Sequence, residues 1–313
     1  MRRLAGISQI VHGEAVRVLV IGVLGTLLAG SVLAVAAPSA AVAPLPVSER
    51  VAGTEEKYAV AKGDTLGGIA HRYGMKVALL ARINKLSEPY PLHLGQRLWV
   101  SNRHIVPAAR SDGIVINLGD RTLYWLLDGA VIAFFPVGVG RQSWETPPGA
   151  YSIVGRRRDP IWHVPPSIQK EMKQRGEPVK KVVPAGPDNP LGSYWLQLSV
   201  PGYGIHGTNA PASVGKFTTH GCVRLRPEDI ERLYNEVPTG TSVDVVDEPV
   251  KLARLEGDVV LLEVHQGSSK PMSPDTFIER LRAAGIRDLV DMVAALRALE
   301  QQWGIAVDVS RKK

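Results

Sequence analysis

Apolar and polar residues alternate in short runs over most of the chain beyond residue 112, which is the pattern of β-strands. Turn residues divide the runs, and Asp128 followed by Gly129 between two apolar runs is a strong hairpin signal. The predicted strands are residues 114–118, 121–127, 130–139, 150–154, 194–200, 241–246 and 258–264. The clearest helix of this part begins near Pro227. The pattern predicts a β-rich domain with few helices over residues 112–250.

Within residues 57–101, apolar residues follow the period of a strand at both ends and the period of a helix between them. Tyr58 and Val60 alternate as a short strand before a turn, and Leu98 and Val100 alternate as a second strand. The apolar face of a first helix between them consists of Leu66, Ile69, Ala70 and Tyr73, and that of a second helix of Val77, Leu80 and Ala81. Asp64 or Thr65 can cap the first helix, and Gly74 fits its left-handed stop position. The predicted order is strand, helix, helix, strand, so the chain as a whole is α+β and mostly β.

Three other segments have no clear strand pattern. Residues 38–56 mix Pro, Ala, Ser and charged residues without a period, which predicts a linker. Residues 159–190 contain seven prolines and an excess of basic residues, which excludes a sheet interior. The segment is predicted to be a long ordered loop that covers a binding site, and the alternative is a solvated excursion without a role. Residues 251–313 are predicted to form a C-terminal extension, a strand followed by helices broken near Gly285, and no function is assigned to them.

A charge-free apolar run marks the N-terminus. Arg2, Arg3 and Arg17 precede residues 18–37, which contain no charged side chain. A basic start, an apolar centre and small-residue triplets are typical of a secretory signal peptide, and twenty apolar residues can also span a bilayer of about 30 Å. For residues 1–37, a cleaved signal peptide and an uncleaved inner-membrane anchor both stay open. Either one places the remainder outside the cytoplasm, in the periplasm or cell wall.

Composition and charge limit the partners and the kinds of site that the chain can have. The formal net charge of +7 favours an anionic surrounding, but no aromatic and basic interleaving accompanies it, which argues against a nucleic-acid partner. Cys222 is the only cysteine, so an intrachain disulfide and a cluster of zinc-binding thiolates are excluded. His71, His93 and His163 are isolated and show no ligand spacing. We therefore predict neither a metal site nor a cofactor.

Residues 203–224 bring two histidines, the single cysteine and an arginine together in the sequence. A thiol with a pKa near ~8.5 is mostly protonated at neutral pH, so a nucleophilic cysteine needs a base or a positive environment. His206 and Arg224 can supply these. Gly221 permits close approach of the backbone to a substrate, and the N–H groups of Gly221 and Cys222 could bind an oxyanion. Without further information, the pattern fits a catalytic thiol or an ordinary buried cysteine.

A longer motif separates these alternatives. His206-Gly207-Thr208, followed after a spacer by Thr219-His220-Gly221-Cys222-Val223-Arg224, resembles the signature of the YkuD-type L,D-transpeptidases. The texts PPGAY at 147–151 and VVPAGPDNPLGSYWLQL at 182–198 resemble the same family. The resemblance covers roughly residues 112–250, and the last 46 residues lie outside it.

The resemblance implies a ping-pong acyl transfer on peptidoglycan stem peptides. Cys222 would attack the carbonyl of the third stem residue, expel D-alanine and form a thioester, which an amine of a second stem or a lysine of a wall-anchored lipoprotein would resolve. The implied catalytic residues are Cys222 as nucleophile, His206 as proton acceptor and donor, the Gly207 carbonyl that orients His206, and His220 and Gly221 beside the oxyanion. The implied substrate-binding residues of this domain are Arg224 and Thr219.

The first folded unit resembles the LysM family. Tyr58-x-Val60, then Gly63-Asp64-Thr65-Leu66, Ile69-Ala70, Asn84 and Gly95-Gln96-x-Leu98 match its usual text. The resemblance implies that glycan containing N-acetylglucosamine binds between the loop formed by Gly63, Asp64, Thr65 and Leu66 and a loop around Pro91 and Leu92. The alternative is that Asp64 and Thr65 only cap a helix.

Three functions remain open from the sequence. The transpeptidase is the main prediction, because export, a wall-binding module and a Cys–His motif indicate the same substrate. An L,D-carboxypeptidase or cross-link hydrolase would use the same acyl-enzyme but release it with water. A non-catalytic wall-binding protein is the third. Peptidases that place cysteine before histidine are disfavoured, because here His206 precedes Cys222.

Overall fold

Three sets of strands and helices follow one another in this computed structural model, which describes residues 42–108, 112–267 and 270–312. All of them lie in one unit, Val42–Lys313. The predicted signal peptide or anchor, residues 1–37, lies outside the described residues. None of the helices within the described ranges is long and apolar enough to cross a bilayer.

The first set contains the predicted strand-helix-helix-strand unit. Its elements are β1 (Val47–Ser48), β2 (Val51–Ala52), β3 (Glu55–Ala59), α1 (Leu66–Arg72), α2 (Val77–Ile83), β4 (Arg97–Ser101) and β5 (His104–Ile105). Strands β3 and β4 pair antiparallel, and both helices pack on them around buried residues such as Ile69 and Leu80. Thr65 caps α1, because its Oγ1 accepts the N–H of Gly68 at 3.0 Å. Gly74 has φ +67°, which confirms the left-handed stop.

The second set forms the β-rich domain. Its elements are β6 (Gly113–Asn117), β7 (Thr122–Leu127), β8 (Ala130–Pro136), β9 (Val139–Gly140), β10 (Gly149–Arg158), β11 (Trp162–His163), α3 (Pro166–Gln174), β12 (Val182–Val183), β13 (Tyr194–Leu198), β14 (Gly204–His206), β15 (Phe217–Thr219), β16 (Val223–Arg224), α4 (Pro227–Glu236) and β17 (Ser242–Val246). Eight strands form one sheet in the order β16-β14-β13-β10-β17-β6-β7-β8. The pairs β14–β16 and β6–β17 are parallel, and the other neighbours in this sheet are antiparallel. Helix α4 packs on the sheet through Ile230 and Leu233, which are fully buried.

The second set confirms the predicted hairpin and the helix at Pro227. Leu127 pairs with Ala130 across Asp128 and Gly129, and Gly129 has φ +79°. Each predicted strand of residues 112–250 corresponds to a strand of the sheet. The fold class, α+β and mostly β, is therefore confirmed.

Residues 159–190, which we call the flap, are more regular than predicted. They contain α3 and the paired strands β11 and β12, with a small core of Val164, Ile168 and Val183. The expectation of a loop is wrong for α3, because Pro166 occupies the first helical turn, where the missing N–H costs nothing. Asn189 closes the base of the flap, since its Nδ2 donates to the Pro160 carbonyl at 2.8 Å and the Pro184 carbonyl at 3.0 Å.

The third set packs a second sheet against two helices. Its elements are β18 (Val250–Arg254), β19 (Val260–Val264), α5 (Pro274–Ala283), α6 (Met292–Gln301) and β20 (Val307–Asp308). The sheet order is β1-β18-β19-β20, and β2 pairs with β5. The linker predicted over residues 38–56 is therefore wrong for β1 and β2, which are too short to show a period in the sequence.

The C-terminal extension completes the core of the first set. Ile305 is 3% exposed and packs in the cluster of buried side chains around α1 and α2, with Trp303 beside it. The Arg82 guanidinium lies 4.6 Å from the centre of the Trp303 ring, and Lys76 donates to the Gln301 carbonyl at 3.2 Å. The extension therefore connects the β-rich domain to the strand-helix-helix-strand unit.

Candidate active site

The parallel pairing of β14 with β16 brings the predicted cysteine and histidine together. His206 is in register with Arg224, and the N–H of Leu225 donates to the His206 carbonyl at 2.8 Å. Residues in register on neighbouring strands share a face, so His206 and Arg224 face the same side, and Cys222 directly precedes β16. That side is a cleft of about 530 Å³, which is lined by these three residues together with Trp162, Trp195 and Tyr203.

His206 is held in one tautomer. Its Nδ1 lies 2.6 Å from the Gly207 carbonyl oxygen, and a carbonyl can only accept, so Nδ1 carries the proton and Nε2 carries the lone pair when the ring is neutral. Trp195 stacks on the ring at 5.7 Å between centroids. Burial, followed by the charge of Arg224, lowers the His206 pKa to about 4. The imidazole is therefore a neutral base at neutral pH.

Cys222 is also neutral at rest. Its Sγ lies 3.6 Å from the Gly202 carbonyl oxygen, and burial raises its pKa to about 11, although the backbone of Gly204 and the charge of Arg224 oppose that rise. A neutral thiol beside a neutral imidazole suits proton transfer during attack, rather than an ion pair formed in advance. Arg224 is held by a hydrogen bond from its Nη1 to Ser213 Oγ at 2.9 Å.

Hydrogen bonds inside residues 219–222, which we call the cysteine loop, fix its shape. Thr219 is 2% exposed, and its Oγ1 donates to the Cys222 carbonyl at 2.6 Å and accepts the Gly221 N–H at 3.1 Å. Thr146 Oγ1 donates to the Gly221 carbonyl at 2.7 Å. Gly221 has φ +102°, and a Cβ there would lie 2.6 Å from a ring carbon of Tyr203. The expectation that the Gly221 N–H is free for an oxyanion is wrong, because Thr219 uses it.

The flap forms one wall of the cleft and reaches the cysteine loop. Glu171 of α3 accepts from His220 Nε2 at 2.7 Å and from Arg141 Nη2 at 2.6 Å. These bonds, Arg141 first and His220 second, lower the pKa of Glu171 to about 2. The Trp144 ring meets His220 edge to face, with 5.2 Å between the centroids. Sequence reasoning missed Glu171 and Arg141, and the only available signal was the predicted position of the flap over a binding site.

The four residues predicted to bind glycan lie in the first set of elements, and three of them have structural contacts. Asp64 Oδ2 accepts from the Tyr58 hydroxyl at 2.6 Å and from the Ala61 N–H at 2.8 Å, and these bonds lower its pKa. Thr65 caps α1, and Leu66 is 4% exposed in the core. Gly63 has φ +87° and open space around it. Glycan contacts of these residues stay a prediction.

One group of metal-type ligands occurs among the described residues, away from the cleft. His104 Nδ1 and His265 Nε2 lie 2.7 Å and 2.5 Å from Glu263 Oε1. The Lys251 ammonium lies 3.1 Å from the same oxygen and also bonds Asp120. A cation would compete with Lys251 for that oxygen, so the residues fit a buried ion network that joins β5, β18 and β19 to the large sheet.

Two family models match parts of this chain. The L,D-transpeptidase catalytic domain family matches residues 111–245, and the LysM domain family matches residues 58–101. The probable L,D-transpeptidase ErfK/SrfK of Escherichia coli K12 is 32% identical over 277 residues, which cover 85% of this chain and 89% of that protein. The probable L,D-transpeptidase YbiS of the same strain is 33% identical over 282 residues, which cover 86% of this chain and 92% of that protein.

Two solved structures are more distant. L,D-transpeptidase 3 from Mycobacterium tuberculosis, in complex with a faropenem-derived adduct, is 16% identical, and the match covers 66% of this chain and 95% of that chain with a TM-score of 0.35. The catalytic domain from the E. faecium L,D-transpeptidase acylated by ertapenem is 19% identical, covers 44% and 99% of the two chains, and has a TM-score of 0.34. These TM-scores are too low to support a structural argument.

Proposed function

We propose, from the premise that this chain belongs to the L,D-transpeptidase family, that Cys222 carries the acyl group while peptidoglycan stem peptides are cross-linked. The chain is an acyltransferase with a LysM domain, and its family acts on peptidoglycan. The observation that carries the assignment to Cys222 is the parallel pairing of β14 and β16. It supports the assignment because His206, whose Nδ1 hydrogen-bonds the Gly207 carbonyl, pairs with Arg224 two residues after the thiol, and both Cys222 and His206 line one cleft.

The first half-reaction forms the thioester. Cys222 Sγ bonds to the carbonyl carbon of the third stem residue while its proton passes to His206 Nε2. The bond between that carbon and the nitrogen of D-alanine then breaks, and His206 returns the proton to the leaving amine. The low pKa of His206 makes the imidazolium a strong acid for this second transfer.

The developing oxyanion needs a donor from the cysteine loop. Thr219 uses the Gly221 N–H, so we assign the oxyanion donor to the Cys222 N–H. Thr219 then acts by shaping the loop rather than by binding substrate, since both hydrogen bonds of its hydroxyl are with the loop backbone. Arg224 braces the face that carries Cys222 and supplies positive charge to the cleft.

The second half-reaction releases the enzyme. An amine of a second stem attacks the thioester carbonyl, His206 accepts the amine proton, and the proton passes to Sγ as the C–S bond breaks. A lysine of a wall-anchored lipoprotein is chemically equivalent as an acceptor. Water in the same place would give an L,D-carboxypeptidase or a cross-link hydrolase instead.

The LysM domain delivers the enzyme to its substrate. It binds peptidoglycan, and we propose glycan containing N-acetylglucosamine as its ligand, in the groove beside Gly63, Asp64, Thr65 and Leu66. The chain acts outside the cytoplasm, in the periplasm or cell wall. Residues 18–37 either direct export and are removed, or stay as an inner-membrane anchor.

Product analysis tests the proposal. Purified protein is incubated with disaccharide tetrapeptide, and the products are separated and weighed by mass spectrometry. Cross-linked dimer and free D-alanine are expected from the intact chain, and neither from Cys222→Ala or His206→Gln. Tripeptide without dimer would indicate that water is the acceptor. Retained activity in Cys222→Ala would remove the thioester mechanism.

A further inference from the structure

Glu171 connects the flap to the cysteine loop through both of its carboxylate oxygens. Oε2 accepts from His220 Nε2 at 2.7 Å, and Oε1 accepts from Arg141 Nη2 at 2.6 Å and also from Arg175. Helix α3, which carries Glu171, lines the cleft with Ile168. Glu171, an acidic residue in a basic segment, therefore holds this wall of the cleft against His220, which lies two positions before Cys222.

The contacts decide which nitrogen of His220 carries a proton. A carboxylate with a pKa of about 2 is ionised at neutral pH, and it can only accept. His220 Nε2 must therefore carry hydrogen, and in a neutral ring Nδ1 carries the lone pair. Arg141 Nη2 lies 3.1 Å from the same Nε2 but has only hydrogens to offer, so Arg141 cannot replace Glu171 in this role.

Arg141 extends the connection to the other end of the cysteine loop. Its backbone N–H donates to the Thr219 carbonyl at 3.1 Å, while its guanidinium is bound to Glu171. Glu171 thus contacts His220 directly and Thr219 through Arg141. Both are residues of the loop that presents Cys222, and Thr219 in turn bonds the Cys222 carbonyl.

We propose that Glu171 is a positioning residue for acyl transfer, which fixes the ring of His220 and the cysteine loop while it holds the flap against the cleft. The proposal rests on the proposed function, since it concerns the acylation of Cys222. Replacing Glu171 should change the rate of acylation more than the stability of the chain, because the side chains of Glu171, His220 and Arg141 are all partly exposed.

The test uses the full chain and two probes, ertapenem and disaccharide tetrapeptide. Acylation of Cys222 by ertapenem is followed as a mass increase, and kcat and KM are measured with the tetrapeptide. Glu171→Gln keeps the shape of the side chain and removes its charge. We expect acylation and kcat to fall about 10- to 100-fold, the range for losing a hydrogen bond to a charged group, with a smaller change in KM. Asp188→Asn, the same change at an exposed site on the flap, should leave both rates within about twofold of the parent chain.

A double-mutant cycle shows whether Glu171 acts through His220. If it does, Glu171→Gln should lower the acylation rate only slightly in a chain that already carries His220→Gln. Equal costs in both backgrounds would overturn the proposal, and so would unchanged rates in Glu171→Gln. A faster reaction with a lower KM would also overturn it, and would show that the carboxylate blocks a site for a substrate anion.

Nitrogen NMR of the intact protein provides an independent readout, even if Glu171→Gln does not fold. The His220 ring should carry hydrogen on Nε2, and a ring with a bare Nε2 and a protonated Nδ1 would refute the assignment. A failure of the proposed function can be distinguished from a failure of the Glu171 proposal, because it would already be seen in the parent chain. If neither probe acylates Cys222 there, the acyl-enzyme itself is wrong, and the role of Glu171 falls with it.

Discussion

The resting ionisation state of Cys222 can be measured directly, because the chain contains a single cysteine. Burial raises the Cys222 pKa to about 11 and lowers the His206 pKa to about 4. At pH 7 the thiolate is therefore about one part in 10⁴, and the imidazole is neutral. We therefore predict that Cys222 is protonated at rest and that His206 removes its proton during attack.

The magnitude follows from the ordinary cysteine pKa of about 8.5, which gives about 3% thiolate at pH 7. With a pKa of about 11, Cys222 should have roughly 300-fold less thiolate than the unfolded chain at that pH. A thiolate of higher pKa is intrinsically more nucleophilic, by roughly 15-fold over this difference in pKa. Alkylation of folded Cys222 should therefore be roughly 20-fold slower at pH 7. It should keep rising tenfold per pH unit up to about pH 10, where the unfolded chain has already levelled off.

The assay is alkylation with iodoacetamide, followed as a mass increase for the folded chain and for the chain in urea. His206→Gln should leave the pH profile of alkylation nearly unchanged while it abolishes cross-linking, because His206 is uncharged at rest. Arg224→Gln should slow alkylation, because the charge of Arg224 lowers the Cys222 pKa. A rate that levels off below pH 8 would refute the reasoning, since it would show a thiolate and imidazolium pair formed in advance.

Three further predictions concern the cysteine loop and the buried ion network. Gly221→Ala should abolish acylation by ertapenem, because its Cβ would lie 2.6 Å from the Tyr203 ring at a φ of +102°; activity close to that of the parent chain would contradict this. Lys251→Met leaves two buried carboxylates without their cation and should lower the free energy of unfolding by about 3–5 kcal/mol in urea titrations, whereas a change below 1 kcal/mol would show that the network is not coupled. The melting temperature should fall as the pH drops below about 6.5, because burial lowers the pKa of His265, so the unfolded chain binds its proton first. Glu263, whose pKa the charge of Lys251 holds well below 4.5 against the effect of burial, adds a further loss as the pH falls below 4.5.

The buried network also explains why the last fifth of the chain cannot be separated from the large sheet. Lys251 of β18 is 2% exposed and donates to the Ile105 carbonyl at 2.6 Å and to the Tyr124 hydroxyl at 3.1 Å. Glu263 of β19 accepts the Ile105 N–H at 2.5 Å. The C-terminal sheet, strand β5 and the large sheet therefore share one set of buried charges, and none of the three can leave without exposing an unpaired ion.

Local patterns in the sequence predicted most of the elements correctly. Hairpin signals such as Asp128-Gly129 and the stop at Gly74 act between residues that are neighbours in the chain, so their effect does not depend on the rest of the fold. The motif around His206 and Cys222 predicted the reacting pair for a similar reason, since both residues lie on short segments with a local pattern. The flap was harder, because Pro166 at a helix start and a proline that breaks a strand look alike in sequence.

The sequence by itself determined the strand-helix-helix-strand unit and the β-rich domain, and it predicted the Cys222–His206 pair, which lines one cleft. Only the tertiary structure decided that the Gly221 N–H is used by Thr219, that Trp303 and Ile305 complete the core of the first set, and that Glu171 holds His220. Glu171 and His220 are 49 residues apart, and Lys251 and Asp120 are 131 apart. Periodicity and motifs report interactions between neighbours in the chain, whereas partners at such separations are selected by strand register and by burial, which exist only once the chain has folded.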